Sequence, residues 1–259
     1  MSIKDVEKKL DREMLKKVER KRLKLEKDED LFETVEEVFD SKTVMALYSL
    51  INKGIIDSMK GVVKAGKESR VYWAKGSSGE DLAVKIFLTS SMEFKKSMLQ
   101  YIHGDPRFSV GKNYRKIVYT WAQKEYRNLS EARIAGVPVP KPICAYQNIL
   151  VMEFIGEDGV PAPLLKDLPE PDEGLYQQIL NAIKNLYLNA RLVHADLSEY
   201  NIMVYDGKAY LIDFGQAVPR EHPMSWEFLK RDVVNILRFF KKAGLNVPEE
   251  EAVLEWLKK

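Results

Sequence analysis

Cysteine is nearly absent from this chain: Cys144 is the only one in 259 residues, so no internal disulfide can form. The three histidines, His103, His194 and His222, make no metal-ligand spacing with it. That usage fits a reducing compartment. Apolar runs such as Ile149 to Ile155 fall far short of the ~20 residues that cross a bilayer, and Met1 to Leu10 alternates charges where a signal peptide would carry an apolar core. The expected location is the cytoplasm, with no membrane contact. Net charge is also lacking: 41 basic and 39 acidic residues leave +2, which argues against a polyanion binder that works by bulk charge. What the chain does have is 45% hydrophobic residues, enough for one large or two small domains with a core, and this excludes disordered and fibrous classes.

Charge is uneven locally. Residues 4–27 hold eleven Lys/Arg against six Asp/Glu, and residues 28–40 hold seven acidic residues and no basic one. Leu10, Met14, Leu15, Val18 and Leu25 are too sparse there for a core-facing stripe, so this arm reads as a solvated helix, with a nucleic-acid or partner-binding arm as the alternative. Val35 to Ile56 reads as one or two short helices closed by Gly54. From Gly61 the period changes, with strands expected at Gly61 to Lys64, Arg70 to Ala74 and Leu82 to Phe87, an antiparallel meander. The connection Ala65-Gly66-Lys67-Glu68-Ser69 is a polar loop of the kind whose amides can face a phosphate. By itself it is a weak signal, because any hairpin needs a glycine.

Two charges stand inside apolar patterns. Lys85 is the only charge in the strand Leu82 to Phe87, and Glu125 interrupts the stripe Tyr114, Val118, Trp121, Leu129, Ala132 of a helix expected over Asn113 to Ala135. A strand lysine most often snorkels, but a carboxylate is seldom buried without a partner, so together they suggest an ion pair. Leu192 to Gly215 is richer. Asp206-Gly207 between two strand-like runs is a two-residue hairpin signal, and counting outward from it pairs 201 with 212. Asn201 and Asp213 then lie side by side, an all-oxygen pair suited to a Mg²⁺ that keeps most of its shell from water and phosphate. Asp196, five residues before Asn201, can reach the same point as a base or as a group that positions the nucleophile. One such residue would ordinarily cap a turn; three in this arrangement point to chemistry.

These residues resemble a known family. His194-Ala195-Asp196 with Asn201 is similar to the catalytic loop of protein kinases, Asp213-Phe214-Gly215 to their metal-binding triplet, and Ala83-Val84-Lys85 to their third-strand lysine motif. More narrowly, Gly66-Lys67-Glu68-Ser69, His194 to Asn201 and Leu211 to Gln216 look like the RIO family of atypical serine/threonine kinases, type 1, over about Lys53 to Gly244. The resemblance implies an α+β, bilobal protein-kinase-like fold, with a β-rich N-lobe and a helical C-lobe truncated after Asp-Phe-Gly. Residues 1–52 would be a helical segment packing on or extending from the kinase, 53–152 the N-lobe, and 153–259 the C-lobe. It further implies ATP and Mg²⁺, with Mn²⁺ as a possible substitute. Lys85 would hold the α- and β-phosphates and Glu125 would hold Lys85. Asp196 would be catalytic, and Asn201 and Asp213 the metal ligands. Gly66, Lys67, Glu68 and Ser69 would cover the triphosphate. Backbone groups of Glu153 and Ile155 would bond adenine, Met152 would guard the pocket, and Val71, Ala83 and Met203 would sandwich the base.

The departures carry meaning too. Only the middle glycine of the usual phosphate loop survives, as Gly66, and Ser69 stands where a glycine normally lets backbone approach phosphate. Ala195 replaces the arginine that receives activation-loop phosphate, and no Ala-Pro-Glu follows Asp213. The stretch from Asp213 to Ser225, expected to cap a helix through Asp232 and Phe240, leaves little room for peptide-docking elements. Thr89 to Val110 is polar and resembles the RIO insertion, expected to be mobile. Two functional classes follow from the resemblance. One is a kinase acting on protein Ser/Thr, of unknown substrate. The other is an ATPase-type assembly switch that transiently phosphorylates Asp213 on a maturing small ribosomal subunit and its RNA. A small-molecule phosphotransferase is the third expectation.

Overall fold

The computed structural model describes residues 40–89, 98–109 and 113–259. The basic arm, the acidic stretch up to residue 39, residues 90–97 and residues 110–112 lie outside the described residues. The chain divides into two units, Met1–Val44 and Met45–Lys259. Helix α1 (Ser41–Asn52) starts where Asp40 Oδ1 accepts from the N–H groups of Lys42 and Thr43, at 3.0 and 3.2 Å. This satisfies donors that the first helical turn leaves open. The helix ends at Gly54, whose φ of +72° closes the last turn.

Five strands, β1 (Ser58–Ala65), β2 (Ser69–Lys75), β3 (Asp81–Phe87), β4 (Pro142–Tyr146) and β5 (Ile149–Glu153), form one antiparallel sheet in the order β1-β2-β3-β5-β4. β3 is central, which is why Leu82 through Phe87 are all buried without a break. Helix α2 (Tyr114–Ile134) lies between β3 and β4 in the chain. Asn113 caps it by accepting from Lys116 N–H at 3.0 Å, and Gly136 follows its end with φ +77°. Its buried set is wider than the expected stripe, because Ile117, Ala122, Lys124 and Asn128 join Val118, Trp121, Glu125, Leu129 and Ala132.

After β5 come the short hairpin strands β6 (Gly156–Glu157) and β7 (Val160–Pro161), a 3-10 turn at Leu165–Asp167, and helix α3 (Glu173–Leu188), capped by Asp172. Strand β8 (Leu192–Val193) leads into the loop 194–201. Strands β9 (Ile202–Tyr205) and β10 (Lys208–Leu211) form a hairpin, and β11 (Val218–Pro219) pairs back onto β8. Helices α4 (Ser225–Lys242) and α5 (Glu250–Leu257) complete the chain. One apolar core runs from Phe87 and Leu150 through α2, α3 and α4 to Leu257. A β-rich part is thus followed by a helical part, the bilobal α+β arrangement expected. No helix among the described residues is long and apolar enough to cross a membrane.

One expectation is corrected. Ser225 does not cap α4: Met224 holds that position, and Ser225 is the first helical residue, its hydroxyl donating to the Arg220 carbonyl at 2.7 Å. The polar stretch Thr89 to Val110, expected as a mobile insertion, is described over residue 89 and residues 98–109. Residues 98–102 are helical, and Met98, Tyr101 and Ile102 are buried in the core. Their i, i+3, i+4 spacing is one helical face, too short a repeat to stand out among polar neighbours.

Candidate active site

The central strand delivers Lys85. Register places Val71 and Leu150 on either side of it, and only 8% of its side chain is exposed, on the cleft side. Its ammonium donates to both Glu125 oxygens, at 2.8 and 2.9 Å, and to Asp213 Oδ1 at 2.8 Å. Burial disfavours the charge on Lys85, yet Asp213 and Glu125 outweigh it and hold the lysine above its ordinary pKa. Burial lifts Glu125 to about 7, against the pull of Lys85. Asp213 differs: its side chain is 46% exposed, and although its surroundings oppose ionisation, Lys85 draws its pKa below the usual value.

The hairpin turn Asp206-Gly207 has positive φ at both residues, 49° and 69°, and sets the β9–β10 register Tyr205↔Lys208 through Ile202↔Leu211. One step further, Ile212 N–H donates to the Asn201 carbonyl at 3.0 Å, so Asn201 and Asp213 stand at the same end, as counted from the sequence. Asn201 Nδ2 donates to the carbonyl and to Oδ2 of Asp196, at 2.7 and 3.1 Å. Both amide hydrogens are thereby turned toward Asp196, which leaves Oδ1, an acceptor, facing away from them. His194 Nε2 donates to the Ile212 carbonyl at 2.9 Å; its Nδ1 is buried without a partner, and burial lowers its pKa to about 4, so the ring is neutral.

A cleft of about 550 Å³ opens between the sheet and the loops of the helical part. All twelve expected nucleotide contacts line it: Gly66, Lys67, Glu68, Ser69, Val71, Ala83, Lys85, Glu125, Met152, Glu153, Ile155 and Met203, with Asp213. Asp196 and Asn201 are not wall residues. Asp196 is tied to the cleft electrostatically: burial first, then the Asp213 charge, raises its pKa. Burial also raises Glu68, with Asp213 and Asp196 adding to it against Lys85. Glu125, Asp213 and Glu68 therefore crowd one lysine, and the Asn201 and Asp213 oxygens beside them are a hard donor set. These residues fit a Mg²⁺ shared with phosphate oxygens. Among the described residues no cluster of three or more His, Cys, Asp or Glu could hold a metal alone.

The Gly66 loop closes on itself. Gly66 N–H donates to the Ser69 carbonyl at 2.9 Å, so that amide is spent within the hairpin. A Cβ on Gly66 would lie 3.2 Å from the same oxygen, a tight contact with hairpin backbone. Just after β5, the Ile155 carbonyl accepts from Ala162 N–H at 3.0 Å, while the Ile155 N–H enters no backbone bond among the described residues.

Other functional residues escape the sequence reading. Pro161, Ala162, Pro163 and Leu164 form a rim of the cleft, held to β9 by Val204 N–H on the Pro163 carbonyl at 2.9 Å. Asp232 of α4 accepts from the Ala195 and Leu197 N–H groups, at 2.8 and 2.9 Å, and so shapes the loop bearing Asp196; Ala195 sits at φ +65°. Burial raises Asp232 to about 7, against those two donors. A signal for it existed: like Glu125, Asp232 interrupts an apolar helical stripe, here Phe228, Leu229, Val233 and Ile236.

Fold and site together define the protein-kinase-like class. The chain belongs to the RIO family, whose domain model matches residues 70–253. It is 41% identical over 230 residues to human serine/threonine-protein kinase RIO1, covering 86% of this chain and 40% of that protein. It is also 41% identical over 220 residues to the RIO-type serine/threonine-protein kinase Rio1 of Haloferax volcanii, covering 84% and 75%. The Rio2 kinase of Chaetomium thermophilum, crystallised as an ADP/Mg²⁺-phosphoaspartate complex, shares the fold, with a TM-score of 0.62 at 21% identity over 80% of this chain and 64% of that one. The chain thus spans about two fifths of the human relative's length.

Proposed function

We propose that this chain is an ATP- and Mg²⁺-dependent protein serine/threonine kinase. The observation that carries the proposal is the single ammonium of Lys85 shared by buried Glu125 and cleft-facing Asp213, with Asp196 and Asn201 hydrogen-bonded beside them. Lys85 orients the α- and β-phosphates. Asp196 accepts the proton of the substrate hydroxyl as its oxygen bonds to γ-phosphorus and the bond to the β–γ bridging oxygen breaks, releasing ADP. Asn201 and Asp213 would hold Mg²⁺, which when bound neutralises phosphate charge. The Ile155 N–H and Glu153 carbonyl take adenine, with Val71, Ala83 and Met203 on its faces. In this reading the lobes divide between Met152 and Glu153.

Purified protein incubated with γ-labelled ATP and Mg²⁺ should label itself or casein on Ser or Thr, and that label should survive hydroxylamine. A second reading, an ATPase switch carrying a transient acyl phosphate on Asp213, draws support from the exposed, ionised Asp213 carboxylate and from the phosphoaspartate in the Rio2 relative. Label lost to hydroxylamine, with phosphate release exceeding transfer, favours it. A protein that neither transfers nor hydrolyses overturns both.

For partners, the net-basic residues 4–27 support docking on RNA of a maturing small ribosomal subunit. Binding to such particles should weaken with salt by ~0.7 to 0.9 in log-log slope per phosphate neutralised. Deleting residues 1–27 should flatten that slope and leave basal turnover near wild type. An unaltered slope removes the arm from the partner surface.

A further inference from the structure

The face of α2 next to Glu125 holds a second set of buried polar groups that the phosphoryl-transfer chemistry does not use. Lys124 and Asn128 are both fully buried, and neither faces the cleft. Lys124 Nζ donates to the Gly215 carbonyl at 3.0 Å and also to the Ala217 carbonyl. Asn128 Nδ2 donates to the carbonyls of Phe214 and Ala217, each at 2.9 Å. Three carbonyls just after Asp213 are thereby held by side chains of the helix that carries Glu125. The contact is close: a Cβ on Gly215 would come within 2.8 Å of the Trp121 indole, so the third residue of the triplet must be glycine for the backbone to lie this near α2.

The 98–109 segment reaches the same group. Arg107 donates to Asn128 Oδ1 at 2.7 Å and pairs with Asp105 at 2.8 Å and with Glu131. This fixes which way the Asn128 amide points: its oxygen is turned to Arg107, so its nitrogen must face the carbonyls. Tyr101 packs its ring, tilted, against Trp121 of α2 and Phe228 of α4, with centroids 6.2 and 5.5 Å apart, and His222 Nε2 donates to the His103 carbonyl at 2.7 Å. The segment therefore spans from α4 to α2 and ends on the residue that grips the triplet.

We propose that Lys124 and Asn128 are positioning residues for Asp213, and that the 98–109 segment acts on the metal-binding triplet through Arg107 and Asn128. Asp213 is then held at two points by one helix. Its carboxylate is held through Glu125 and Lys85; its following backbone, needed because Asp213 sits at φ +66°, is held by Lys124 and Asn128. Such a brace sets the Asp213 position without an activation-loop phosphate, for which Ala195 leaves no receiving arginine. The inference rests on the reading of Asp213 as a Mg²⁺ ligand.

The test uses the full chain with Asn128→Ala, Lys124→Met and Arg107→Gln. In the metal-free protein, amide hydrogen exchange at residues 214–218 should speed up at least tenfold in Asn128→Ala and Lys124→Met, and less in Arg107→Gln, with exchange in the middle of α3 unchanged. Binding of a non-hydrolysable ATP analogue should need at least tenfold more Mg²⁺ in the first two variants, while affinity measured in EDTA stays within threefold of wild type. Lys124→Arg, which keeps a donor, should restore most of the Mg²⁺ response. Exchange that rises throughout the fold, or equal loss of affinity with and without Mg²⁺, makes these residues merely structural and overturns the proposal. An unchanged Mg²⁺ requirement overturns it as well. A wild-type protein that binds the analogue without regard to Mg²⁺ removes the reading of Asp213 on which the proposal stands, which separates that failure from the others.

Discussion

Asp196→Asn should lower phosphoryl transfer ~10²- to 10⁴-fold while ATP affinity stays within a few-fold of wild type, because the change removes a proton acceptor and little else. The substitution is isosteric. The new amide oxygen can still accept from Asn201 Nδ2, which in any case also bonds the Asp196 carbonyl at 2.7 Å, so the loop keeps its shape. Asp232 continues to hold the N–H groups of Ala195 and Leu197. Initial rates over a range of ATP concentrations separate the effects: kcat should fall and KM should not. If nucleotide affinity falls as far as turnover, Asp196 is a structural or metal-holding residue and the proposed base lies elsewhere.

Lys85→Met should cost ~3 to 5 kcal/mol of stability, the range for removing one partner of a buried ion pair, and should abolish turnover. The stability loss comes from Glu125 and not from Asp213. Glu125 is left buried without its hydrogen-bonded counter-charge, only the weaker influence of Lys124 remaining, whereas Asp213 can face water. The effect depends on pH in a defined direction. Burial already raises Glu125 to about 7, and losing Lys85 raises it further above its unfolded value near 4.5. A raised acid favours folding in its protonated form, so the variant keeps most stability below pH 4.5 and loses it as pH climbs through the folded pKa above 7. Denaturant unfolding at pH 5.5 and 8 should show the larger deficit at pH 8. Adding Glu125→Gln should recover much of it, since no charge is then left buried. A deficit independent of pH would mean that Glu125 finds another partner or reaches water.

Where the sequence was legible, the reason is local. The Asp206-Gly207 turn needs positive φ at two neighbouring residues, a demand that those two residue types announce, and the antiparallel register follows by counting. Lys85 and Glu125 were visible because a charge inside an apolar strand or stripe has few physical explanations. The same rule, applied further along, reaches Asp232. It does not reach Lys124 or Asn128, which sit beside the stripe; a polar residue there normally marks the solvated face of a helix.

The sequence by itself thus determined the chain's class, the meander, the hairpin register and the set of charged residues that share one site. Only the tertiary structure decided what the remaining polar groups do. The partners of Lys124, Asn128 and Asp232 are backbone carbonyls and amides of distant loops, and a backbone group has the same chemistry at every residue, so no side-chain pattern can name it. The same holds for Gly66, whose amide could have faced a phosphate and instead bonds Ser69. It holds also for residues 98–109, whose few apolar side chains acquire a core only because α2 and α4 are already there to supply its other walls.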